Sequence, residues 1–221
     1  MKARIVGVLG LGIFGRRVAR ELSKYGVEVI AVDNNAERVQ SVSDTVTSAV
    51  IGDFTDADFL RQIGIQNCDI VVVGTGTNLE SSVLAVMHCR KLGVPKIFAK
   101  ARGRTFEEVL YEIGATRVIS PERDSGQALA TKILHNRIEE VLKLDEQTSI
   151  IEFKVPKDWV GKNVLQMDLR REYDLNLIGK RKGMGEISAI QLEEAFAEEE
   201  TLVGVAHSDT FEKFDYLGYL D

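Results

Sequence analysis

The feature that most constrains this chain is its opening: an apolar β-rich stretch over residues 4–9 runs directly into Gly10-Leu11-Gly12-Ile13-Phe14-Gly15, and residues 13–25 follow at helical spacing. A bare Gly-x-Gly-x-x-Gly is a weak signal. It becomes specific when a strand precedes it, a helix follows it and an acid closes the next strand. Here Asp33 closes the apolar run Val29-Ile30-Ala31-Val32. Gly10 permits the tight turn, Gly12 lets backbone approach a phosphate, and Gly15 lets the helix pack close against the strand. The first N–H groups of that helix, with its dipole, hold an anion. A chain that begins this way is committed to parallel strands joined by crossover helices.

The rest of the first half obeys that commitment. Strands are predicted over 4–9, 27–32, 47–51, 69–73, 96–100 and 117–120, with helices over 13–25, 36–42, 56–62, 79–92 and 106–113. Near-continuous apolar strands belong to a parallel sheet covered on both faces. The fold class is therefore α/β: a Rossmann-like, doubly wound parallel sheet. Pro121 punctuates the pattern. Residues 124–144 then read as one amphipathic helix, with Ala128, Leu129, Ile133, Leu134, Ile138, Val141 and Leu142 at helical spacing.

The last third changes grammar. Strands are expected over 149–155, 175–181, 186–190 and 201–206, and helices over 164–173 and 208–217, giving a small α+β unit. The expected organisation is a nucleotide-binding domain over 1–122, a connector or dimerisation helix over 123–145, and a C-terminal domain over 146–221. The acid cluster Glu193-Glu194 and Glu198-Glu199-Glu200 reads as a solvated face.

Composition narrows the function classes. A formal charge of −6 over 221 residues argues against nucleic acid as the main partner. Cys68 and Cys89 lack metal-ligand spacing and read as reduced packing residues. Met1-Lys2-Ala3-Arg4 and the apolar run after it imitate a signal peptide, but Gly7, Gly10 and Gly12 break the run and Arg16-Arg17 follow it. A strand entering a glycine turn accounts for the same residues, so the protein is read as cytosolic.

Candidate site residues gather at the carboxyl ends of the predicted strands, where ligands bind in such sheets. A carboxylate at Asp33 accepts hydrogen bonds from both ribose hydroxyls and repels a 2′-phosphate; the alternative is a cap for the helix starting near Asn34 or Asn35. Asn34 and Arg38 are counted with it. Gly52-Asp53-Phe54-Thr55 closes the third strand, and Asp53 can accept from an adenine amino group. Thr75-Gly76-Thr77-Asn78 closes the fourth with small polar residues suited to ribose and phosphate. Lys100 closes the fifth with a positive charge. Against this, there is no Tyr-x-x-x-Lys pair, and His88, His135 and His207 read as ordinary residues. No His/Cys/carboxylate cluster has metal spacing. The second domain is small for a dehydrogenase substrate cleft. A nucleotide site without catalytic equipment suggests a sensor.

The order of motifs also resembles a known family. Gly10-x-Gly12-x-x-Gly15, Asp33, Gly52-Asp53-x-Thr55, Leu60-x-x-Ile63-Gly64-Ile65, Ala99-Lys100-Ala101, Leu110-x-x-Ile113-Gly114-Ala115 and Ile119-Ser120-Pro121-Glu122-Arg123-Asp124 resemble the RCK domain. That domain regulates potassium conductance in Trk- and Ktr-type uptake systems and in some potassium channels. Val160-Gly161-Lys162, Leu169-Arg170, Tyr173 and Leu177-Ile178-Gly179-Lys180-Arg181 look like its C-terminal subdomain.

The resemblance implies a cytoplasmic regulatory subunit, not an enzyme. Homodimers would assemble into an octameric ring beneath a potassium-translocating integral membrane subunit. ATP, ADP or AMP, or NAD or NADH, would bind as a signal. It also implies that Glu122 lies at the dimer interface and helps place a divalent or monovalent cation beside a neighbour's phosphates; the plain alternative is a first-turn helix acid favoured by the dipole. In some relatives the C-terminal half binds cyclic di-AMP, with Arg170 and Asn176 matching the polar residues used; otherwise it is a dimerisation module and Arg170 a surface charge. Two departures stand out. Ktr-type subunits often carry an arginine between the second and third glycines, where this chain has Ile13 and Phe14. The family's Gly-Asp before the last strand is replaced by Glu199-Glu200-Thr201. The first departure makes ADP, AMP or NAD more plausible ligands than tightly discriminated ATP. The competing readings are a small NAD-dependent oxidoreductase and a redox-sensing repressor.

Overall fold

A computed structural model of the chain describes residues 5–207, apart from 77, 135–137, 146 and 184. The expected helix over 208–217 and His135 fall outside these residues. The chain divides into two compact units, residues 1–123 and 124–221.

The first unit is a doubly wound sheet. Strands β1 (Ile5–Leu9), β2 (Glu28–Asp33), β3 (Ser48–Ile51), β4 (Ile70–Val73), β5 (Lys96–Lys100) and β6 (Arg117–Ile119) are all parallel, in the order β3-β2-β1-β4-β5-β6. Helices α1 (Ile13–Lys24), α2 (Ala36–Gln40), α3 (Ala57–Gln62), α4 (Leu79–Lys91) and α5 (Arg104–Glu112) connect them. The strand order reverses between β1 and β4, which puts the ligand crevice at their carboxyl ends. The centre of the sheet is apolar on both faces. Leu9, Val32, Val71, Val73 and Ile97 pack into one layer with Leu60 and Val86, while Val6, Val8, Val29, Ala31 and Val72 pack into the other with Leu11 and Ala19. Both cysteines are buried and free, and burial pushes their thiols up, Cys68 to about 11 and Cys89 to about 12. They are packing residues, as expected.

The second unit holds a four-stranded antiparallel sheet in the order β7-β8-β10-β9, from β7 (Ile138–Lys143), β8 (Thr148–Lys154), β9 (Leu175–Lys182) and β10 (Glu200–His207). Trp159, almost fully buried, centres its core, with Phe153 edge-on at 6.0 Å between ring centroids.

Four expectations need correction. The amphipathic segment is not one helix: α6 (Pro121–Leu134) ends early, and Ile138–Lys143 is strand β7, paired with β8. An apolar period in so short a run is ambiguous, and the ladder offered by β8 decides it. The helix over 164–173 is two short ones, α7 (Val164–Met167) and α8 (Leu169–Tyr173), broken where Asp168 takes φ 41°. The strand over 186–190 is reduced to one bridge, Ser188 to Lys180. The acid cluster is not wholly solvated: Glu194 and Glu200 each hold the Lys180 ammonium at 2.8 Å, and that lysine is 7% exposed. A buried ammonium has to be paired. Among the described residues, no helix is long and apolar enough to cross a membrane.

Candidate functional site

Six strands point their carboxyl ends at one edge, and the sequence-predicted residues stand along it. β1 delivers the glycine turn. Gly10 sits at φ +91°, a conformation that side chains strain to adopt. A Cβ on Gly15 would lie 1.9 Å from the Gly10 carbonyl oxygen, so α1 can start only with glycine there. Gly12 is the opposite case: a Cβ there would meet nothing within 4 Å, so its surface opens outward. Gly12 also begins α1 without any side-chain cap, and the first turn carries no acid. The leading N–H groups of α1 are therefore presented by an open, uncharged loop, which is what an anion requires.

At the end of β2, Asp33 is 2% exposed. Its Oδ2 accepts from the Leu11 N–H at 2.6 Å and its Oδ1 from the Asn35 N–H at 2.9 Å. The acid thereby ties the glycine turn to the second strand, a task that its place in the sequence did not reveal. It is not the cap of α2; Asn35 is, accepting from the Arg38 N–H at 3.1 Å. Arg38 Nη1 stands 3.5 Å from Asp33 Oδ2, and its side chain is 50% exposed. Asn34 is exposed beside them.

Asp53, at the end of β3, is exposed. Its Oδ1 accepts from Thr55 Oγ1 at 2.7 Å and from the Thr55 N–H at 2.8 Å, and these bonds hold its carboxyl below the usual range. Thr55 thus orients Asp53. Phe54, half-buried, packs against the sheet core. At the end of β4, Thr75 is half-buried and its carbonyl accepts from the fully buried Ser82 hydroxyl. Asn78 is the cap of α4, accepting from the Ser81 N–H at 3.2 Å. Thr77 lies outside the described residues. Gly74 was missed by the sequence reading: a Cβ there would come 2.9 Å from the Gly10 carbonyl oxygen. The signal was present as the pair Gly74-x-Gly76.

The far end of the edge belongs to β5 and β6. Lys100 pairs in register with Ile119, which brings its ammonium to Glu122 in the first turn of α6. Nζ donates to Glu122 Oε1 at 2.5 Å, and the lysine's hydrogen bond holds the Glu122 carboxyl below its usual range. The Lys100 side chain is only 11% exposed. Its stem lies against Gly76, where a Cβ would come 3.3 Å from Cδ, and Nζ stands 5.6 Å from the centre of the Phe14 ring. Ile13, by contrast, is 87% exposed. Among the described residues, no group of three or more His, Cys, Asp or Glu side chains could hold a metal ion. His88 lies half-buried in α4 and His207 ends β10, each outside this edge.

Comparison with known proteins identifies the family and the fold. The model of the TrkA-N domain matches residues 6–121, all of the six-stranded sheet but its first residue. The chain is 33% identical over 208 residues to the Ktr system potassium uptake protein C of Bacillus subtilis strain 168, covering 94% of each chain. Among solved structures, the GsuK RCK domain superposes with a TM-score of 0.65 at 18% identity over 98% of this chain, which spans about half (48%) of that one. GsuK bound to ADP matches 60% of this chain and 34% of its own length, at 27% identity and a TM-score of 0.53.

Proposed function

The chain belongs to the TrkA-N domain family, and from that membership we propose that it is a cytoplasmic, nucleotide-sensing regulatory subunit that gates a potassium-translocating integral membrane protein. The observation that carries the nucleotide half is the uncapped start of α1 beside a strand-end acid: Gly12 is open to solvent and Asp33 fixes the turn from the next strand. The potassium half is carried by the Bacillus relative, whose similarity runs nearly the full length of both chains.

In this reading the ligand is an adenosine nucleotide: ATP, ADP or AMP, or NAD or NADH. Its phosphates take the N–H groups after Gly12, and its ribose hydroxyls take Asp33, once Arg38 turns aside. Asn34, Asp53 and Phe54 surround the base, with Thr55 orienting Asp53. Thr75, Gly76 and Lys100 line the phosphate side. The ligand is a signal: its binding shifts a conformational equilibrium only by its differential affinity for two states. The subunits form homodimers that build an octameric ring, where Glu122 and a cation stand beside a neighbour's phosphates. Arg170 in α8 and Asn176 in β9, both exposed, are the residues that would contact cyclic di-AMP in the second unit.

The test has two arms. Mass spectrometry of ligand released from the purified chain should identify an adenosine nucleotide, and the chain should co-purify with a potassium-transporting membrane protein. Steady NAD(H)-linked turnover of a small substrate would overturn the reading in favour of an oxidoreductase.

A further inference from the structure

We infer that the amino edge of the six-stranded sheet, where Arg90, Lys91, Lys96 and Arg117 stand, is a docking surface for anionic lipid headgroups. The inference rests on the reading of a subunit that works beneath a membrane protein, and it concerns the edge opposite the nucleotide crevice.

Charge is unevenly spread along the chain. Residues 1–123 carry 16 Lys and Arg against 14 Asp and Glu, whereas residues 124–221 carry 12 against 20. Within the first unit, four cations gather on two neighbouring turns, residues 90–96 from α4 to β5 and residues 112–117 from α5 to β6. Glu112 is the one acid on these turns. The Gly93 N–H donates to the Arg90 carbonyl at 3.0 Å and the Val94 N–H to the Cys89 carbonyl at 3.1 Å, which closes the first turn and carries Arg90 and Lys91 to the foot of β5. A Cβ on Gly114 would lie 2.5 Å from Arg90 Nη1, so that guanidinium rests on the second turn. The Thr116 N–H donates to the Ile97 carbonyl at 2.7 Å and the Ile97 N–H to the Thr116 hydroxyl at 3.0 Å. These bonds tie the starts of β5 and β6, and so Lys96 and Arg117, together.

All four cations are exposed, and among the described residues none joins an ion pair. The dipole at the end of α4 favours Arg90 and Lys91. It gives no reason for Lys96 and Arg117, which begin strands. A specific protein contact centres on an apolar or aromatic anchor. No large apolar residue of either turn is exposed among the described residues, and Tyr111, just before the second turn, has its hydroxyl held by the Val118 N–H at 3.1 Å. Cations without an anchor fit a plane of spread phosphate charge. At physiological salt an exposed charge reaches about 8 Å. This edge, and not the formal charge of −6, therefore decides what docks there. Each Lys or Arg at an anionic leaflet is worth a factor of about five in partition. Together the four orient a chain already held at the membrane by its partner.

The experiment is flotation of the full chain with vesicles of phosphatidylglycerol and phosphatidylcholine in equal parts, at about 0.1 M salt. The wild type should float with these vesicles and stay behind with phosphatidylcholine alone. K96Q/R117Q should lower the partition coefficient about 25-fold. K157Q/K162Q removes the same net charge from exposed lysines of the second unit and should change it by less than about twofold. Thermal melting and AMP calorimetry should be the same for all three proteins. Where K96Q/R117Q melts early, K91Q/K96Q takes its place with the same expectation. Absence of wild-type flotation overturns the inference, as does an equal loss in K96Q/R117Q and K157Q/K162Q. Loss of co-purification with the membrane protein by K96Q/R117Q, without vesicle binding by the wild type, overturns it in favour of an acidic protein segment. Vesicle binding that K96Q/R117Q loses supports the inference even if no membrane protein co-purifies, so the subunit reading can fall separately.

Discussion

At the near end of the binding edge, Asp33 is buried and its carboxylate is held by two backbone N–H groups, from Leu11 and Asn35. At the far end, Lys100 and Glu122 join two side chains, one of them more than half exposed. Donors fixed by backbone are in place before any ligand arrives and lose no freedom when it binds. A pair of side chains has to break first, and its strength depends on what replaces it. In the proposed reading, the first arrangement meets the part common to the ligands, the adenosine, and the second stands on the side of the part that varies, the phosphate chain.

The comparison can be broken most violently at the turn that joins the two ends. Gly15→Val would force a side chain into the Gly10 carbonyl, 1.9 Å from the Cβ position. The loss should exceed about 3 kcal/mol of unfolding free energy, the upper range for overpacking. Thermal denaturation with and without nucleotide checks this, and a variant as stable as the wild type would show that α1 starts differently from the arrangement described.

Next in size is Asp33→Ala, which should weaken adenosine-nucleotide affinity by ~1–3 kcal/mol, since charge-assisted bonds are lost. Calorimetry with AMP suffices, because the effect belongs to the near end. An unchanged dissociation constant would move the ribose elsewhere.

Arg38→Ala should matter less. Its guanidinium is half exposed and 3.5 Å from Asp33, so water and salt screen the pair. Stability and AMP affinity should each change by under about 1 kcal/mol. A larger loss of affinity would mean that Arg38 carries the adenosine end together with Asp33.

The smallest effect is one of pH. The bonds from Thr55 hold the Asp53 carboxyl below its ordinary 3.8. A carboxyl lowered on folding contributes stability that is fully present above the ordinary value and is lost as pH falls through the lowered one. Asp53→Asn should therefore lower the melting temperature slightly at neutral pH, flatten the acid limb of the profile below about pH 4, and converge on the wild type in acid. An identical slope in both proteins would mean that the Thr55 bonds do not survive in solution.

Much of the near end was legible in the sequence because it is local. Gly10, Gly12, Gly15 and Asp33 lie on consecutive elements of one β-α-β unit, and a fixed turn demands those residue types at that spacing. Even there, tertiary contact added meaning: the Leu11 N–H bond to Asp33 joins residues that no local rule connects. Asn78 was expected on the ligand side; the structure shows it as the cap of α4, a task that Asn before Leu-Glu-Ser signals locally. The far end was legible only as separate residues. Lys100 and Glu122 were each marked, but their contact comes from the register of β5 against β6.

The sequence alone thus determined the doubly wound sheet, the glycine turn and the acid beside it, because backbone sterics and hydrophobic period act over a few residues. Only the tertiary structure decided that residues 138–143 form a strand and not the end of a helix, since the hydrogen-bonding partner that settles the matter is β8. It also decided that Lys180 is buried between Glu194 and Glu200, and that Lys100 meets Glu122. Charges find their partners across strands, and which strands are neighbours is a property of the packed sheet.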